Sequence, residues 1–137
     1  MSGSEPVPGP KTSPRILVVD DEPDIRTLLR DQLELEGFQV LEAGRALEAV
    51  EVARERQPDL ITMDLMLPDL DGFEAIRLLR DNALTREIPV VILSALELGD
   101  DDTRALGPTV HLAKPFSRAD LLAIIRANLR LDRSPAR

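Results

Sequence analysis

Cysteine, tryptophan and tyrosine are absent from this 137-residue chain, and phenylalanine occurs only three times. Without a thiol, disulfides and cysteine chemistry are excluded, and the redox compartment is left open. Without large aromatics, the core must be aliphatic. No apolar run approaches the ~20 residues of a membrane helix. The start lacks a basic segment followed by an apolar stretch, so no secretory signal is read. The expected setting is the cytoplasm, with no membrane insertion. Positive charge is also in deficit: 17 Lys and Arg against 25 Asp and Glu leave a net charge of −8. Such a surface argues against direct nucleic-acid binding, which needs a basic face. It suits a cation or a basic partner, and it also serves solubility.

What is present fits one globular domain, with 43% hydrophobic and 31% charged residues. Residues 1–14, "MSGSEPVPGPKTSP", are too rich in Pro, Gly and Ser to join a core and read as a tail. Residues 132–137 read as a second, short tail, leaving 15–131 as the domain. Within it, apolar runs alternate with amphipathic ones. Strands are predicted over 15–19, 38–43, 59–64, 88–95 and 109–113. Helices are predicted over 24–37, 46–57, 73–82 and 117–131, with Pro23 tolerated in a first turn, Gly37 as a stop, and Ser117 with Asp120 as a cap. The segment 99–108, "GDDDTRALGP", can hold about two turns of helix. Strand–helix alternation implies an α/β fold, a doubly wound parallel sheet with helices on both faces. Ligands bind such sheets beyond the carboxyl ends of the strands.

The residues at those ends carry chemistry. The first strand delivers Asp20 and Asp21, the third Asp64, the fourth Ser94 and the fifth Lys114 followed by Pro115. Singly these are ordinary: adjacent acids at a strand end are commonly solvated, a serine can satisfy local backbone, and a lysine can be surface. Together they place three carboxylates, a hydroxyl and an ammonium on one edge. Clustered carboxylates raise one another's pKa unless a cation is present. A hard, all-oxygen donor set suits Mg²⁺, which keeps some water and accepts a phosphate ligand.

The motifs "VVDDEP", "DLMLPDLDG", "LSA" and "KPF", in this register, resemble the receiver domain of two-component response regulators, a single-domain, chemotaxis-receiver-like form. The resemblance spans residues 15 to about 131. It implies a flavodoxin-like sheet of five parallel strands in the order 2-1-3-4-5. It implies Asp64 as phosphoacceptor toward a phosphohistidine on a sensor histidine kinase or a phosphotransfer protein. Mg²⁺ would be held by Asp21, Asp64 and the backbone carbonyl of Met66, with Asp20 acting through water. Ser94 would hydrogen-bond the phosphoryl group, Lys114 would pair with it, and the Lys114–Pro115 bond would be cis. Such a domain catalyses its own phosphorylation and dephosphorylation rather than turning over a substrate.

Two features depart from the family pattern. The span from Ser94 to Lys114 is short, at the expense of the fourth helix. His111 stands where the family usually carries Tyr or Phe as a rotamer switch. The expected function is a stand-alone receiver whose fourth-helix, fifth-strand, fifth-helix face docks an unidentified downstream protein or serves a phosphorelay, with room for a homodimer. Two rival functions would leave different signatures. A Mg²⁺-dependent aspartyl phosphatase would carry an acid two residues after the nucleophile, where this chain has Met66. A phosphorylation-independent interaction module would have lost the aspartates or the lysine, which are all present.

Overall fold

The computed structural model describes residues 13–129. They form five strands and five helices in alternation: β1 (Arg15–Val19), α1 (Pro23–Leu35), β2 (Gln39–Ala43), α2 (Ala46–Arg56), β3 (Leu60–Asp64), α3 (Gly72–Arg80), β4 (Val90–Ser94), α4 (Asp100–Arg104), β5 (Thr109–Ala113) and α5 (Arg118–Asn128). The strands are all parallel, in the order β2-β1-β3-β4-β5. Every carboxyl end therefore lies at one edge, with the order reversing at β1, between β2 and β3.

The two-residue period of the strands splits the core into two layers. Ile16 and Val18 of β1 join Leu29 and Leu33 of α1 and Leu121, Leu122 and Ile125 of α5 on one face. Leu17 and Val19 join Ala46, Ala49 and Ala53 of α2 and Ala75, Ile76 and Leu79 of α3 on the other. Fully burying one such Leu or Ile contributes roughly 1.5–3 kcal/mol, so two aliphatic layers suffice without a large aromatic.

Several boundaries differ from the sequence reading. α1 starts at Pro23 itself, where a missing N–H costs nothing. Its apolar stripe is narrower than the leucine spacing suggests: Leu28 is 52% and Leu35 75% exposed. α5 ends at Asn128 instead of running to 131, because Leu129 turns extended and packs on the α1/α5 layer. The Asn128 side-chain amide donates to the Ile124 carbonyl at 2.7 Å. Pro14, assigned to the tail, accepts from Gln39 N–H at 2.9 Å and so extends the β1–β2 ladder. Residues 1–12 and 132–137 of the expected tails, with Arg130 and Leu131, lie outside the described residues. α4 is only five residues long. At its start Gly99 N–H donates to Asp102 at 2.8 Å; the side chains of Asp100 and Asp101 lie outside what is described.

The amino edge of the sheet is closed by Arg80, at the end of α3. Its guanidinium donates to the carbonyls of Leu106 (2.7 Å), Ile88 (2.7 Å), Arg86 (3.1 Å) and Pro108 (3.1 Å) and to Thr109 Oγ1 (3.1 Å). One side chain thus fixes the loops that lead into β4 and β5. Gly107 makes the close approach possible: it takes φ +74°, and a Cβ there would stand 2.9 Å from Arg80 Nε.

Candidate functional site

At the carboxyl edge, Asp20 continues β1 by donating its N–H to Ala43 O at 3.1 Å. Its carboxylate turns inward, 5% of the residue remaining exposed, and accepts the Glu22 N–H at 2.9 Å. Arg26, one turn into α1, donates to the Asp20 carbonyl at 2.6 Å while pairing with Glu42 at 3.2 Å. Asp21 is exposed, and Asp64, the last residue of β3, is half-buried. Oxygens of the three carboxylates lie within 4.8 Å of one another.

Burial pushes the Asp20 carboxyl above its ordinary value; the Glu22 amide opposes this, the Asp64 and Asp21 charges add to it, and Lys114 draws it down. The cluster is therefore short of positive charge. Its donors are all oxygen, which fits a hard divalent cation such as Mg²⁺ better than a softer metal.

The loop after β3 is folded tightly against this cluster. Asp64 Oδ1 accepts the Met66 N–H at 3.0 Å, and Gly72 N–H donates to Leu65 O at 2.8 Å. A Cβ at Gly72 would lie 2.8 Å from the Asp64 carbonyl oxygen, so only glycine lets α3 start here. Asp71 caps α3 by accepting from Glu74 N–H at 2.9 Å.

Ser94 ends β4 and is buried, 5% exposed. Its Oγ accepts the Leu96 N–H at 3.0 Å, which leaves the hydroxyl proton free to donate elsewhere. Its carbonyl accepts from Lys114 N–H at 3.0 Å and faces His111 Nε2 at 3.2 Å, a contact that requires the proton on that nitrogen. Lys114 is exposed, its ammonium close enough to act on Asp20, and the Lys114–Pro115 peptide is cis. The structure thus joins Asp20, Asp21 and Asp64 directly, with Lys114 beside them. Ser94 and His111 meet each other one strand away, and among the described residues no hydrogen bond joins either to the carboxylates. His111, opposite Ile92 on β5, lies on the α2/α3 side of the sheet. The carboxylate of Asp102 is engaged with the Gly99 amide.

Beside the cluster runs a groove of about 520 Å³ between α1 and the β5–α5 turn, with Ile25, Leu28, Leu29, Pro115 and Phe116 along it and Asp20 and Lys114 at its end. Two positions that shape the site carry no role in the sequence reading: Arg26 and Gly72. Asp71 and Gly72 had a readable signal, an N-cap residue followed by a glycine at a helix start; Arg26 acts across the fold.

An all-parallel, doubly wound domain with a crowded carboxylate pocket at its carboxyl edge, and an ammonium beside it, is of the phosphoryl-accepting signalling class. The model of the response regulator receiver domain matches residues 16–126, and the chain belongs to that family. It is 42% identical over 125 residues to the DNA-binding dual master transcriptional regulator RpaA of Synechocystis sp., covering 89% of this chain and 52% of that protein. It is 45% identical over 118 residues to the phosphate regulon transcriptional regulatory protein PhoB of Klebsiella pneumoniae, covering 85% and 52%. The chain spans about half the length of these curated relatives. Among solved structures it resembles the chemotaxis protein CheY4 of Vibrio cholerae, with a TM-score of 0.80 and 28% identity over 86% of this chain and 100% of that one. It also resembles the receiver domain of the sensor histidine kinase PA1611 of Pseudomonas aeruginosa, with a TM-score of 0.77 and 34% identity over 85% and 98%. That structure is described with a magnesium ion coordinated in its active-site cleft. The domain is thus a two-component receiver, a phosphoacceptor and signalling domain rather than a conventional enzyme. Among the described residues no helix is long and apolar enough to cross a membrane.

Proposed function

We propose that Asp64 takes a phosphoryl group from a phosphohistidine of a sensor kinase or phosphotransfer protein in the cytoplasm. The Asp64 carboxylate attacks phosphorus in line with the leaving nitrogen. The P–N bond breaks, its electron pair returns to the imidazole, and an aspartyl phosphate forms; water later releases inorganic phosphate. The transition state is loose, so alignment and charge neutralisation carry most of the catalysis. Asp21, Asp64 and the Met66 carbonyl would hold Mg²⁺, with Asp20 acting through water, and the bound ion would supply neutralising charge. Lys114 brings an ammonium to the phosphoryl oxygens. Ser94 donates its free hydroxyl proton to them without giving up the Leu96 amide. The apolar groove beside Asp20 and Lys114 is where the donor protein would seat.

The observation that carries this reading is the meeting of Asp20, Asp21 and Asp64 within 4.8 Å at the sheet edge. Movement at Ser94 reaches β5 through its carbonyl, bonded by Lys114 and His111, so the readout is the α4–β5–α5 face. That face docks a downstream protein or passes the phosphoryl group on in a relay. The long DNA-binding relatives couple the same domain to transcription, and a reader on a longer chain would use the same face. An aspartyl phosphatase is disfavoured because Met66 cannot protonate a leaving group.

Acetyl phosphate with Mg²⁺ should add one hydroxylamine-labile phosphoryl group by mass, and Asp64→Asn should abolish it. Undiminished labelling in Asp64→Asn would place the nucleophile elsewhere, and steady turnover of a simple phosphomonoester would favour the phosphatase.

A further inference from the structure

α2 begins without a cap of its own. Its N-cap residue, Arg45, has an extended backbone and makes no side-chain cap bond, and an arginine has no acceptor to offer. The first two helical amides are instead taken from outside. Ala46 N–H and Leu47 N–H donate to the two carboxylate oxygens of Asp69, at 2.8 and 2.9 Å. Asp69 lies 23 residues further on, in the loop that leads from the phosphoacceptor strand to α3. The Leu47 amide, with that of Ala46, holds its carboxyl below the ordinary range, so it is ionised when it caps the helix.

The same loop carries the backbone of Met66, whose N–H is bonded to Asp64. At the loop's far end the Gly72 amide is bonded to Leu65. Leu67 and Leu70 pack on the α2/α3 layer, yet Met66 is 74% exposed. Met66 joins neither core layer, so beyond the bond to Asp64 its position depends on how the rest of the loop is tied down.

We infer that Asp69 is a positioning residue for the phosphoacceptor site: by capping α2 from the β3–α3 loop, it fixes the Met66 backbone beside Asp64. The helix start and the loop then behave as one unit. By linkage, a cation that orders the loop must also tighten the α2 cap. This inference rests on the metal reading above only in its second arm.

The test is NMR on the intact protein. In the metal-free state, Asp69→Ala should speed amide exchange at Ala46 and Leu47 by roughly 2- to 30-fold, the range for a lost cap. It should also lower the order parameter of Met66 from the rigid range toward ~0.6. In a Mg²⁺ titration of the same samples, the variant should bind several-fold more weakly, and Mg²⁺ should no longer slow exchange at Ala46. Asp69→Asn keeps one carbonyl oxygen and should recover part of each effect. Glu48→Ala disturbs the same helix end through a different bond, Gly44 N–H to Glu48 at 3.0 Å; it should leave Met66 and the Mg²⁺ affinity unchanged. An unaltered Met66 in Asp69→Ala, or an equal effect of Glu48→Ala, would reduce Asp69 to a helix cap and overturn the inference. Absence of Mg²⁺ binding in the wild type would sink the metal reading, while the metal-free Met66 arm would still decide the role of Asp69.

Discussion

Asp20 and Arg80 are both charged groups drawn into the domain, at opposite edges of the same sheet, and they are treated in opposite ways. Arg80 meets four carbonyls and a hydroxyl arranged around its fork. Burial lowers its pKa to about 10, which still leaves it charged at neutral pH. Asp20 meets one amide, two further carboxylates and the opposing charge of Lys114. One edge is satisfied as it stands. The other is short of positive charge. The difference teaches where this fold spends stability and where it withholds it.

The largest expected effect lies at the satisfied edge. Arg80→Ala would strand several carbonyls at once and release the loops that lead into β4 and β5. A loss of about 3 kcal/mol is expected, read from the urea midpoint at unchanged slope. Arg80→Lys should recover little, since three rotatable donors cannot reproduce a planar fork. Mg²⁺ binding at the opposite edge should persist. A midpoint within experimental error of the wild type would mean that water replaces the guanidinium at no cost, and the contrast with Asp20 would collapse.

The second effect has the opposite sign. The folded-state pKa of Asp20 is raised, so between the ordinary carboxylate value and the raised one the native state binds more protons than the unfolded chain. Stability from this group is therefore full below the ordinary value and is lost as pH rises through the raised one. Without metal, mild acidification from neutrality should stabilise the protein. At lower pH the trend reverses, because Glu36 and Asp69 contribute the other way. The pKa of Glu36 is lowered by Arg126 and Arg118 and that of Asp69 by the Leu47 amide, and such contributions vanish as those groups protonate. Asp20→Asn should remove the first limb, raise metal-free stability at neutral pH by about 1 kcal/mol, and shrink the rise in melting temperature that millimolar Mg²⁺ gives the wild type. A destabilised Asn variant at neutral pH would show that the cluster is not under strain.

Much of this was legible in the sequence, and for a reason. Fold class follows from short apolar runs alternating with helical ones, and a parallel sheet puts every strand's last residue on one edge. Asp20, Asp21, Asp64, Ser94 and Lys114 could thus be assembled without coordinates. What could not be read depends on contacts between distant segments. Nothing in "LPDLDG" says that Asp69 reaches α2, and nothing in "AIRLLRDN" says that Arg80 turns inward while Arg77 stays exposed. Leu28 and Leu35 matched the helical period but stay exposed, because the period tells which residues share a face and not how wide the covering layer is.

The smallest predicted effect lies between the two edges. Thr62 sits in the middle of β3, opposite Val18 and Val91, and two residues before Asp64 on the same face of the strand. It is 1% exposed, and among the described residues its hydroxyl has no hydrogen-bond partner. Valine has nearly the same shape and would not desolvate a hydroxyl, so Thr62→Val should stabilise the domain by about 1 kcal/mol. The orphan hydroxyl belongs to neither edge by contact, and the rate of labelling by acetyl phosphate tells which it serves. A stabilised variant with an unchanged rate makes Thr62 a tolerated defect of the core. A stabilised variant that labels more slowly would extend the under-satisfied region one residue pair below Asp64, and the stability withheld at the carboxyl edge would then reach into the middle of the sheet.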